Sequence, residues 1–269
     1  YTFLNYLRCH DDIGWGLDYG YLCRFGMGEV SHKKFLNDYL TGNWPGSPAR
    51  GELYNDDPRI GDARLSGTTA SLCGIESARA DGDAGRLEWA LRLDVMLHAF
   101  MFTLSGIPVL YSGDEIAQEN DYGYHDDPLK APDSRYLHRG DMNWEAAARR
   151  HDPKTTEGRL FAELRRIEKL RAGHRVFDGA ADVWIVRTGD PGVLGIGRYC
   201  RGEKLVALFN FASASKRVAF DELGDFSDAF TGESADNTNV YLRSGGFAWL
   251  LCDFDAAKAP ADGEERDKA

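Results

Sequence analysis

The chain opens with an apolar run that stops abruptly in polar residues. Residues 1–7 are mostly aromatic and aliphatic, and His10, Asp11 and Asp12 follow almost directly. A buried parallel strand has this pattern where it reaches the rim of an α/β sheet or barrel. We therefore predict a strand within residues 1–12 whose end carries polar side chains.

A helix and a second strand are predicted further along. Apolar positions recur every three or four residues after Gly85, at Leu87, Leu91, Val95, His98 and Phe102. Gly106 and Pro108 end this helix, and residues 107–111 then read as a short buried strand. Strand, helix and strand in this order are typical of a parallel sheet.

The stretch between these elements, residues 13–83, is long, Gly-rich and irregular in pattern. A segment of this length between two regular elements is usually a functional excursion, and we predict short helices in it near Ser31–Leu40 and Gly67–Ala80. A final helix is predicted from apolar spacing at Leu160, Leu164, Ile167 and Leu170, ending at Ala172 and Gly173.

The pattern changes after about residue 178. Short β-rich runs separated by Gly, Asp and Ser occupy residues 183–187, 193–200, 205–211, 216–220 and 247–254. Regular short strands with turn signals favour an antiparallel β-sandwich. The end of the chain is rich in Ala, Asp, Glu and Lys and is predicted to be disordered.

Charge and cysteine content exclude several classes of protein. The formal net charge of −11 argues against nucleic-acid binding, which needs a basic surface. The five cysteines are odd in number and lack C-x-x-C spacing, so they fit reduced thiols in a cytoplasm better than a zinc site or disulfides. The most apolar stretch, residues 95–111, is broken by Gly106 and Pro108 and is not read as a membrane span.

The polar triplet at the first strand end is the strongest candidate for chemistry. Catalytic groups of β/α barrels lie at the carboxyl ends of strands. A carboxylate beside an imidazole, such as Asp11 beside His10, can accept hydrogen bonds from two sugar hydroxyls and stabilise a cationic sugar ring. The alternative is that Asp11 and Asp12 only cap the following segment.

Four segments, in this order and spacing, resemble glycoside hydrolase family 13 in its amylosucrase form. Residues 5–15 read NYLRCHDDIGW, residues 64–68 read RLSGT, residues 106–115 read GIPVLYSGDE and residues 133–139 read DSRYLHR. Tyr136 stands where that family pattern has Trp. The third motif is general to family 13, whereas the first and last point to a sucrose-acting subgroup. The resemblance covers residues 1 to about 175.

The resemblance implies a fold of class α/β plus all-β, the C-terminal part of a (β/α)8 TIM barrel followed by an antiparallel β-sandwich. The expected segments are barrel strand seven (1–12), a large insertion (13–83), barrel helices with strand eight and its loop (84–177), the sandwich (178–255) and a disordered tail (256–269). Because Tyr1 already lies in a strand-like run, we expect further residues upstream.

The resemblance also implies a retaining double displacement. In the family, an Asp on strand four is the nucleophile and a Glu on strand five is the acid and base, with their carboxyl groups about 5–5.5 Å apart. Asp11 matches the third carboxylate, which stabilises the transition state, and His10 matches its substrate-binding partner. We expect the other two carboxylates upstream of Tyr1, so the 269-residue chain alone is predicted to be inactive. No metal or cofactor is implied.

Three further residues match substrate-binding positions of the family. Asp12 and Arg64 correspond to an acid–base pair that closes the bottom of the sucrose pocket, although Arg64 could instead pair with Asp62 or stay solvated. Arg135 corresponds to an arginine on the fructosyl or acceptor side. The alternative for Arg135 is a salt bridge with Asp133 within its own loop.

Other candidates are interpreted as structural. Asp114 and Glu115 are adjacent, so they are expected to support the rim rather than form a catalytic pair. His98 lies on the apolar helix face and is read as a core histidine, and residues 26–28 lack the flanking elements of a phosphate-binding loop. Stacking on sugar and ordinary packing both remain open for Trp15, Tyr19 and Trp44.

The implied activity is a sucrose-dependent glucosyl transfer to an α-1,4-glucan with release of fructose. Expected partners are sucrose, α-glucan acceptors and the missing N-terminal part of the same protein, with no nucleic acid and no membrane. A sucrose hydrolase or another family 13 α-glucosidase on the same scaffold is the nearest alternative, and sucrose phosphorylase fits the motifs less well. A third possibility, of another class, is a catalytically incomplete fragment that serves only in binding or assembly.

Overall fold

The computed structural model describes residues 2–253. Its strands are, in chain order, β1 (Leu4–Asn5), β2 (Ile13–Gly14), β3 (Glu52–Asp57), β4 (Asp62–Ser66), β5 (Ile107–Pro108), β6 (Asp182–Val186), β7 (Val193–Cys200), β8 (Glu203–Asn210), β9 (Lys216–Val218), β10 (Phe226–Asp228), β11 (Ser234–Ala235), β12 (Val240–Leu242) and β13 (Phe247–Asp253). Its α-helices are α1 (Tyr19–Leu22), α2 (Glu29–Leu40), α3 (Thr69–Cys73), α4 (Ile75–Ala80), α5 (Ala84–Thr103), α6 (Trp144–Ala148) and α7 (Thr156–Gly173).

The chain forms two compact units, and each takes residues from separate parts of the sequence. The first, here called the sandwich unit, contains residues 2–5, 95–108 and 163–253. The second, here called the mixed unit, contains Tyr6–Asp94 and Val109–Ala162. The boundaries between the two units therefore fall inside the predicted segments 1–12 and 84–177. The predicted division of the chain into segments stays a prediction.

The two predicted barrel strands pair in parallel within the sandwich unit. Leu4 of β1 lies beside Ile107 of β5, and Asn5 beside Pro108. Both strands are shorter than predicted, because only two residues of 1–12 and two of 107–111 adopt strand geometry. Proline has no N–H to donate, so the ladder cannot extend normally through Pro108.

The predicted antiparallel sandwich is confirmed. A six-stranded sheet has the order β11-β10-β13-β8-β7-β6, and β12 pairs with β9 beside it. Its core contains Val206, Leu208 and Leu250 of the large sheet together with Val218 and Leu242 of the small one. Strand β7 has the predicted bounds, whereas β10, β11 and β12 are two or three residues long and were not predicted. The predicted disordered tail, 256–269, lies outside the described residues.

A buried arginine holds the helical part of the sandwich unit against its sheet. Arg198 of β7 is 1% exposed and donates to the carbonyl oxygens of Thr103 (2.9 Å), Val176 (2.5 Å) and Asp178 (3.2 Å). Burial lowers the pKa of Arg198 to about 10, which still leaves it charged near neutral pH. The indole of Trp249 donates to the Thr103 hydroxyl at 3.0 Å. The bond from Arg198 to Thr103 satisfies the last carbonyl of α5, which has no partner within the helix, and the other two bonds from Arg198 bind the segment that follows α7.

The mixed unit contains a three-stranded antiparallel sheet in the order β2-β4-β3. The reading of residues 13–83 as irregular between short helices was therefore wrong. Strand β3 has the sequence ELYNDD, which lacks both apolar alternation and β-branched residues, so it carried no strand signal. The helices predicted near 31–40 and 67–80 are confirmed as α2 and as α3 with α4, separated at Gly74 (φ +94°).

The two long predicted helices are also confirmed, as α5 and α7. His98 lies on α5 and is 0% exposed, in agreement with its interpretation as a core histidine. Within residues 2–253, no helix combines the length and the apolar character needed to cross a bilayer.

Replacing Arg198 by leucine is expected to lower the free energy of unfolding by about 3 kcal/mol or more, since two buried carbonyls and one partly buried carbonyl lose their donor. Urea denaturation followed by circular dichroism measures this change. The matched control is Arg217→Leu at an exposed position, with an expected change within about 1 kcal/mol. Equal effects of the two substitutions would contradict the anchoring role of Arg198.

Candidate active site

The candidate site lies in the mixed unit, where the segment after β1 meets the loop containing residues 133–139. Arg8 is 3% exposed, and its Nε donates to the carbonyl oxygen of Gly67 at 2.8 Å. Its Nη2 donates to the carbonyl oxygen of Asp11 at 3.1 Å. Burial lowers the pKa of Arg8, and the charges of Cys9 and Asp114 act in the opposite direction. Arg8 lies in the motif at residues 5–15, but no role was predicted for it from the sequence.

His138 is the second buried group of the site. The N–H of Gly67 donates to His138 Nδ1 at 3.2 Å, and His138 Nε2 lies 3.3 Å from the carbonyl oxygen of His10. Because Nδ1 accepts, we assign the ring proton to Nε2, which then donates to His10. Burial, followed by the nearby Arg8 charge, lowers the pKa of His138 to about 4. The imidazole is therefore neutral at physiological pH.

A third side chain completes the set that holds the peptide of His10 and Asp11. Arg139 Nε donates to the carbonyl oxygen of His10 at 2.6 Å. We call Arg8, His138 and Arg139 the backbone clamp, because each of them binds a carbonyl oxygen of these two residues. The clamp fixes the main chain, and of its three members only Arg139 also approaches the Asp11 carboxylate, at 3.5 Å.

The Asp11 carboxylate is surrounded by donors but is not closed by them. Its Oδ1 lies 3.5 Å from both Arg135 Nη1 and Arg139 Nη2, and its Oδ2 lies 3.5 Å from His10 Nε2. Charge-assisted hydrogen bonds are shorter, at about 2.7–2.9 Å. The side chain is also 54% exposed. Asp11 therefore retains lone pairs that could accept hydrogen bonds from ligand hydroxyls.

Arg135 forms the salt bridge with Asp133 that the sequence offered as its alternative role, and it also faces Asp11. Its Nε and Nη2 donate to the two carboxylate oxygens of Asp133, each at 2.8 Å, and its Nη1 faces Asp11. Its guanidinium lies 4.8 Å from the centroid of the Tyr54 ring. The hydrogen bonds with Asp133 lower the pKa of that carboxyl group and raise the pKa of Arg135.

Asp12 and Arg64 are not brought together. Within the described part of the chain, no ion pair joins them. Arg64 is exposed on β4, where it lies opposite Gly14 of β2, and its guanidinium occupies the space in which a Cβ of residue 14 would stand. The charge of Asp12 acts instead on Arg8 and Arg135. The pocket roles of Asp12, Arg64, His10 and Arg135 stay predictions.

Asp114 and Glu115, which follow β5, stabilise a turn with their carboxylates. Asp114 Oδ2 accepts the N–H of Tyr111 at 3.2 Å, and Glu115 Oε2 accepts the N–H of Gly113 at 2.9 Å. Gly113 has φ +101°, a conformation that favours glycine. The Tyr111 hydroxyl donates to the carbonyl oxygen of His138 at 3.2 Å, which connects this turn to the backbone clamp.

The aromatic residues considered for sugar stacking all take part in packing. The Trp15 indole donates to Asn37 at 2.7 Å, and Trp44 packs edge-on against Phe35 with ring centroids 4.9 Å apart. The ring of Tyr19 packs edge-on against a histidine of α2. Trp44 nevertheless keeps 44% of its surface exposed.

The chain shows structural likeness to solved amylase-type proteins, whereas no protein-family model matches it. AmyP in complex with maltose is 18% identical with a TM-score of 0.51, and the match covers 63% of this chain and 36% of that one. An AmyP variant in complex with maltotriose is 17% identical with a TM-score of 0.51, covering 62% and 36%. An Anoxybacillus α-amylase from a new glycosyl hydrolase subclass is 18% identical with a TM-score of 0.48, covering 71% and 36%.

The chain thus spans little more than a third of the length of these structures. The likeness to the AmyP structures shows the fold. Together with the parallel β1–β5 pair and the antiparallel sheets, it defines the C-terminal part of a TIM barrel followed by a β-sandwich. The predicted fold class is confirmed.

The buried neutral His138 predicts a pH dependence of stability. Its pKa is about 4 in the folded chain against 6.5 for a free histidine, so the unfolded chain takes up this proton first as the pH falls. The stabilisation is fully present above pH about 6.5 and is lost towards pH about 4, a loss of about 3 kcal/mol.

Urea denaturation at several pH values should therefore show a steeper acid loss of stability for the wild type than for His138→Gln. The control is His125→Gln at a half-exposed histidine. NMR should also show the amide signals of His10 and Asp11 shifting with the titration of His138. Parallel pH profiles for wild type and His138→Gln would contradict the assignment.

Proposed function

We propose that the chain supplies Asp11 as the transition-state-stabilising carboxylate of a retaining enzyme of glycoside hydrolase family 13. The observation that carries this proposal is the geometry of Asp11, whose main chain is clamped while its carboxylate stays half-exposed. Such an arrangement places a negative charge at a fixed point without neutralising it in a tight ion pair. This is the requirement for stabilising charge that develops on a substrate.

The chemistry of glycoside cleavage fits this carboxylate. The sugar ring becomes positively charged in the transition state, and hydrogen bonds to its hydroxyls strengthen at that point. Asp11 can accept hydrogen bonds from two neighbouring hydroxyls and lie close to the positive ring. His10, which is 3.5 Å from Asp11 and largely exposed, is placed to contact the same sugar.

An α-glucoside substrate is supported by fold and motifs together. AmyP has been solved with maltose and with maltotriose, and this chain shares its fold. The motifs at residues 5–15 and 133–139 favour sucrose within that substrate class. We therefore propose glucosyl transfer from sucrose to an α-1,4-glucan with release of fructose, with Arg135 on the acceptor side and Asp12 and Arg64 near the pocket floor.

The nucleophile and the acid/base are proposed to belong to a longer parent protein. In the resemblance, Asp11 matches only the third of three carboxylates, and Asp114 and Glu115 are engaged in a turn. The remaining part of that protein is then the main partner of this chain. The scattered cysteines favour a reducing compartment, so we place the activity in the cytoplasm.

The test measures fructose and glucose release from sucrose by the 269-residue chain and by a version extended upstream. The chain alone is expected to be inactive, and the extended form to release fructose in excess of glucose. Asp11→Asn in the extended form should lower kcat by about 10²–10³-fold, because a carboxamide cannot stabilise the positive ring to the same extent. The control Asp56→Asn, at an exposed position of the mixed unit, should change little.

Other outcomes have definite meanings. Equal release of glucose and fructose would replace the transferase by a sucrose hydrolase. Turnover by the chain alone would contradict the upstream location of the nucleophile. Unchanged kcat in Asp11→Asn would remove the proposed role of Asp11. No turnover by the extended form would favour a binding or assembly function.

A further inference from the structure

The Arg135 side chain contacts three residues. Two of them, Asp133 and Asp11, belong to the motifs found in the sequence. Its Nε and Nη2 edge binds Asp133, and its Nη1 faces Asp11. Its guanidinium carbon lies over the ring of Tyr54, 4.8 Å from the ring centroid. Tyr54 belongs to none of the motifs found in the sequence, and it comes from strand β3 of the insertion.

The strand β3 is irregular directly after Tyr54. Tyr54 lies opposite Arg64 in the sheet, and the register shifts between Tyr54 and Asp57. Asn55, the next residue, has φ +51°, a left-handed conformation that is uncommon for residues other than glycine. Bulges of this kind redirect side chains and occur frequently beside active sites.

The same sheet supports the loop of Arg135 at two more points. The Ser134 hydroxyl lies 3.1 Å from the Ser66 hydroxyl at the end of β4. The N–H of Gly67, the next residue, donates to His138. The sheet of the insertion is therefore a platform for residues 133–139, and Tyr54 is the part of it that reaches the guanidinium.

We propose that Tyr54 is a positioning residue, whose ring holds the Arg135 guanidinium in the plane in which it binds Asp133 and faces Asp11. The Asp133 pair is local to the loop, so it does not fix the guanidinium relative to the rest of the site. A cation held over an aromatic face is attracted by the ring quadrupole, and a planar guanidinium stacks there in a defined orientation.

The consequence concerns specificity and rests on the proposed function. With its Nε and Nη2 edge bound to Asp133 and the Tyr54 ring beside it, Arg135 offers its remaining Nη N–H donors to a ligand oxygen. Tyr54 therefore decides which side of the guanidinium an acceptor or leaving sugar meets. The expected ligand of this position is a sugar hydroxyl, beside the ring held by Asp11.

The first test needs no sugar and uses the 269-residue chain. NMR measures the hydrogen-exchange rate of Arg135 Nε–H and the pKa of the Asp133 carboxyl group. Tyr54→Leu is expected to speed the exchange by about two- to fivefold, the equivalent of an exposed cation–π contact, and to raise the pKa of Asp133 towards its ordinary value. Tyr54→Phe keeps the ring and should leave both quantities close to wild type.

A matched control is available in the sandwich unit. Arg217 lies 5.2 Å from the centroid of the Tyr241 ring, so Tyr241→Leu removes a similar contact away from the Arg135 loop. It should leave the signals of Arg135 and Asp133 unchanged. Unchanged signals in Tyr54→Leu, or equal changes in Tyr54→Phe and Tyr54→Leu, would overturn the positioning role.

A second measurement separates this inference from the proposed function. Maltose is titrated against the chain and followed at the signals of Asp11 and Arg135, and Tyr54→Leu should weaken binding by about two- to fivefold. Absence of maltose binding in the wild type would count against the proposed function, while the exchange data would still decide the role of Tyr54. Wild-type affinity in Tyr54→Leu would overturn the specificity consequence.

A set of ring-fluorinated phenylalanines at position 54 keeps the test decisive if Tyr54→Leu does not fold. Fluorine withdraws charge from the ring face with little change in shape, so the Arg135 exchange rate should rise step by step with the number of fluorine atoms. A rate independent of fluorination would overturn the cation–π contact as the cause.

Discussion

The buried guanidinium of Arg8 is the constraint on which the candidate site depends. A charged group removed from water must be matched by hydrogen-bond acceptors, because an uncompensated charge costs several kcal/mol. Arg8 finds them in the carbonyl oxygens of Gly67 and Asp11 and in the ring of His138. Asp11, Gly67 and His138 are far apart in the sequence. The hydrogen bonds of one side chain therefore hold the segment after β1, the insertion and the loop containing residues 133–139 together. His138 remains neutral because burial, and after it the neighbouring Arg8 charge, lowers its pKa.

The arrangement separates two requirements of a catalytic carboxylate. The main chain of His10 and Asp11 is fixed by donors that bind carbonyl oxygens, whereas the carboxylate of Asp11 meets its cationic neighbours only at 3.5 Å. Rigid placement is therefore achieved without neutralising the charge. Asp133 takes the close ion pair with Arg135, which leaves Asp11 the more available of the two carboxylates. Preorganised charge of this kind is the largest single contribution to transition-state stabilisation in many enzymes.

The sequence allowed the prediction of elements whose signal is local. The apolar spacing of α5 and α7 and the bounds of β7 were readable from neighbouring residues. Contacts made over long separations were not, such as the burial of Arg8 against Gly67 and His138. Strand β3 was not predicted because its polar sequence lacks the alternation of a strand. The contact of Tyr54 with Arg135 was not predicted for the same reason. The expected Asp12–Arg64 pair followed from the resemblance alone. In the structure Arg64 lies opposite Gly14 in the β2–β4 pairing, and no sequence pattern indicated this register.

The central claim is that Asp11 carries an available negative charge for a positive sugar ring. It is tested most directly by the affinity of a protonated iminosugar, compared with that of glucose, for the wild-type chain and for Asp11→Asn. We predict that the wild type prefers the iminosugar cation and that Asp11→Asn weakens this binding by about tenfold or more, the usual effect of losing a charged hydrogen bond. Equal affinity of wild type and Asp11→Asn for the iminosugar would contradict the account.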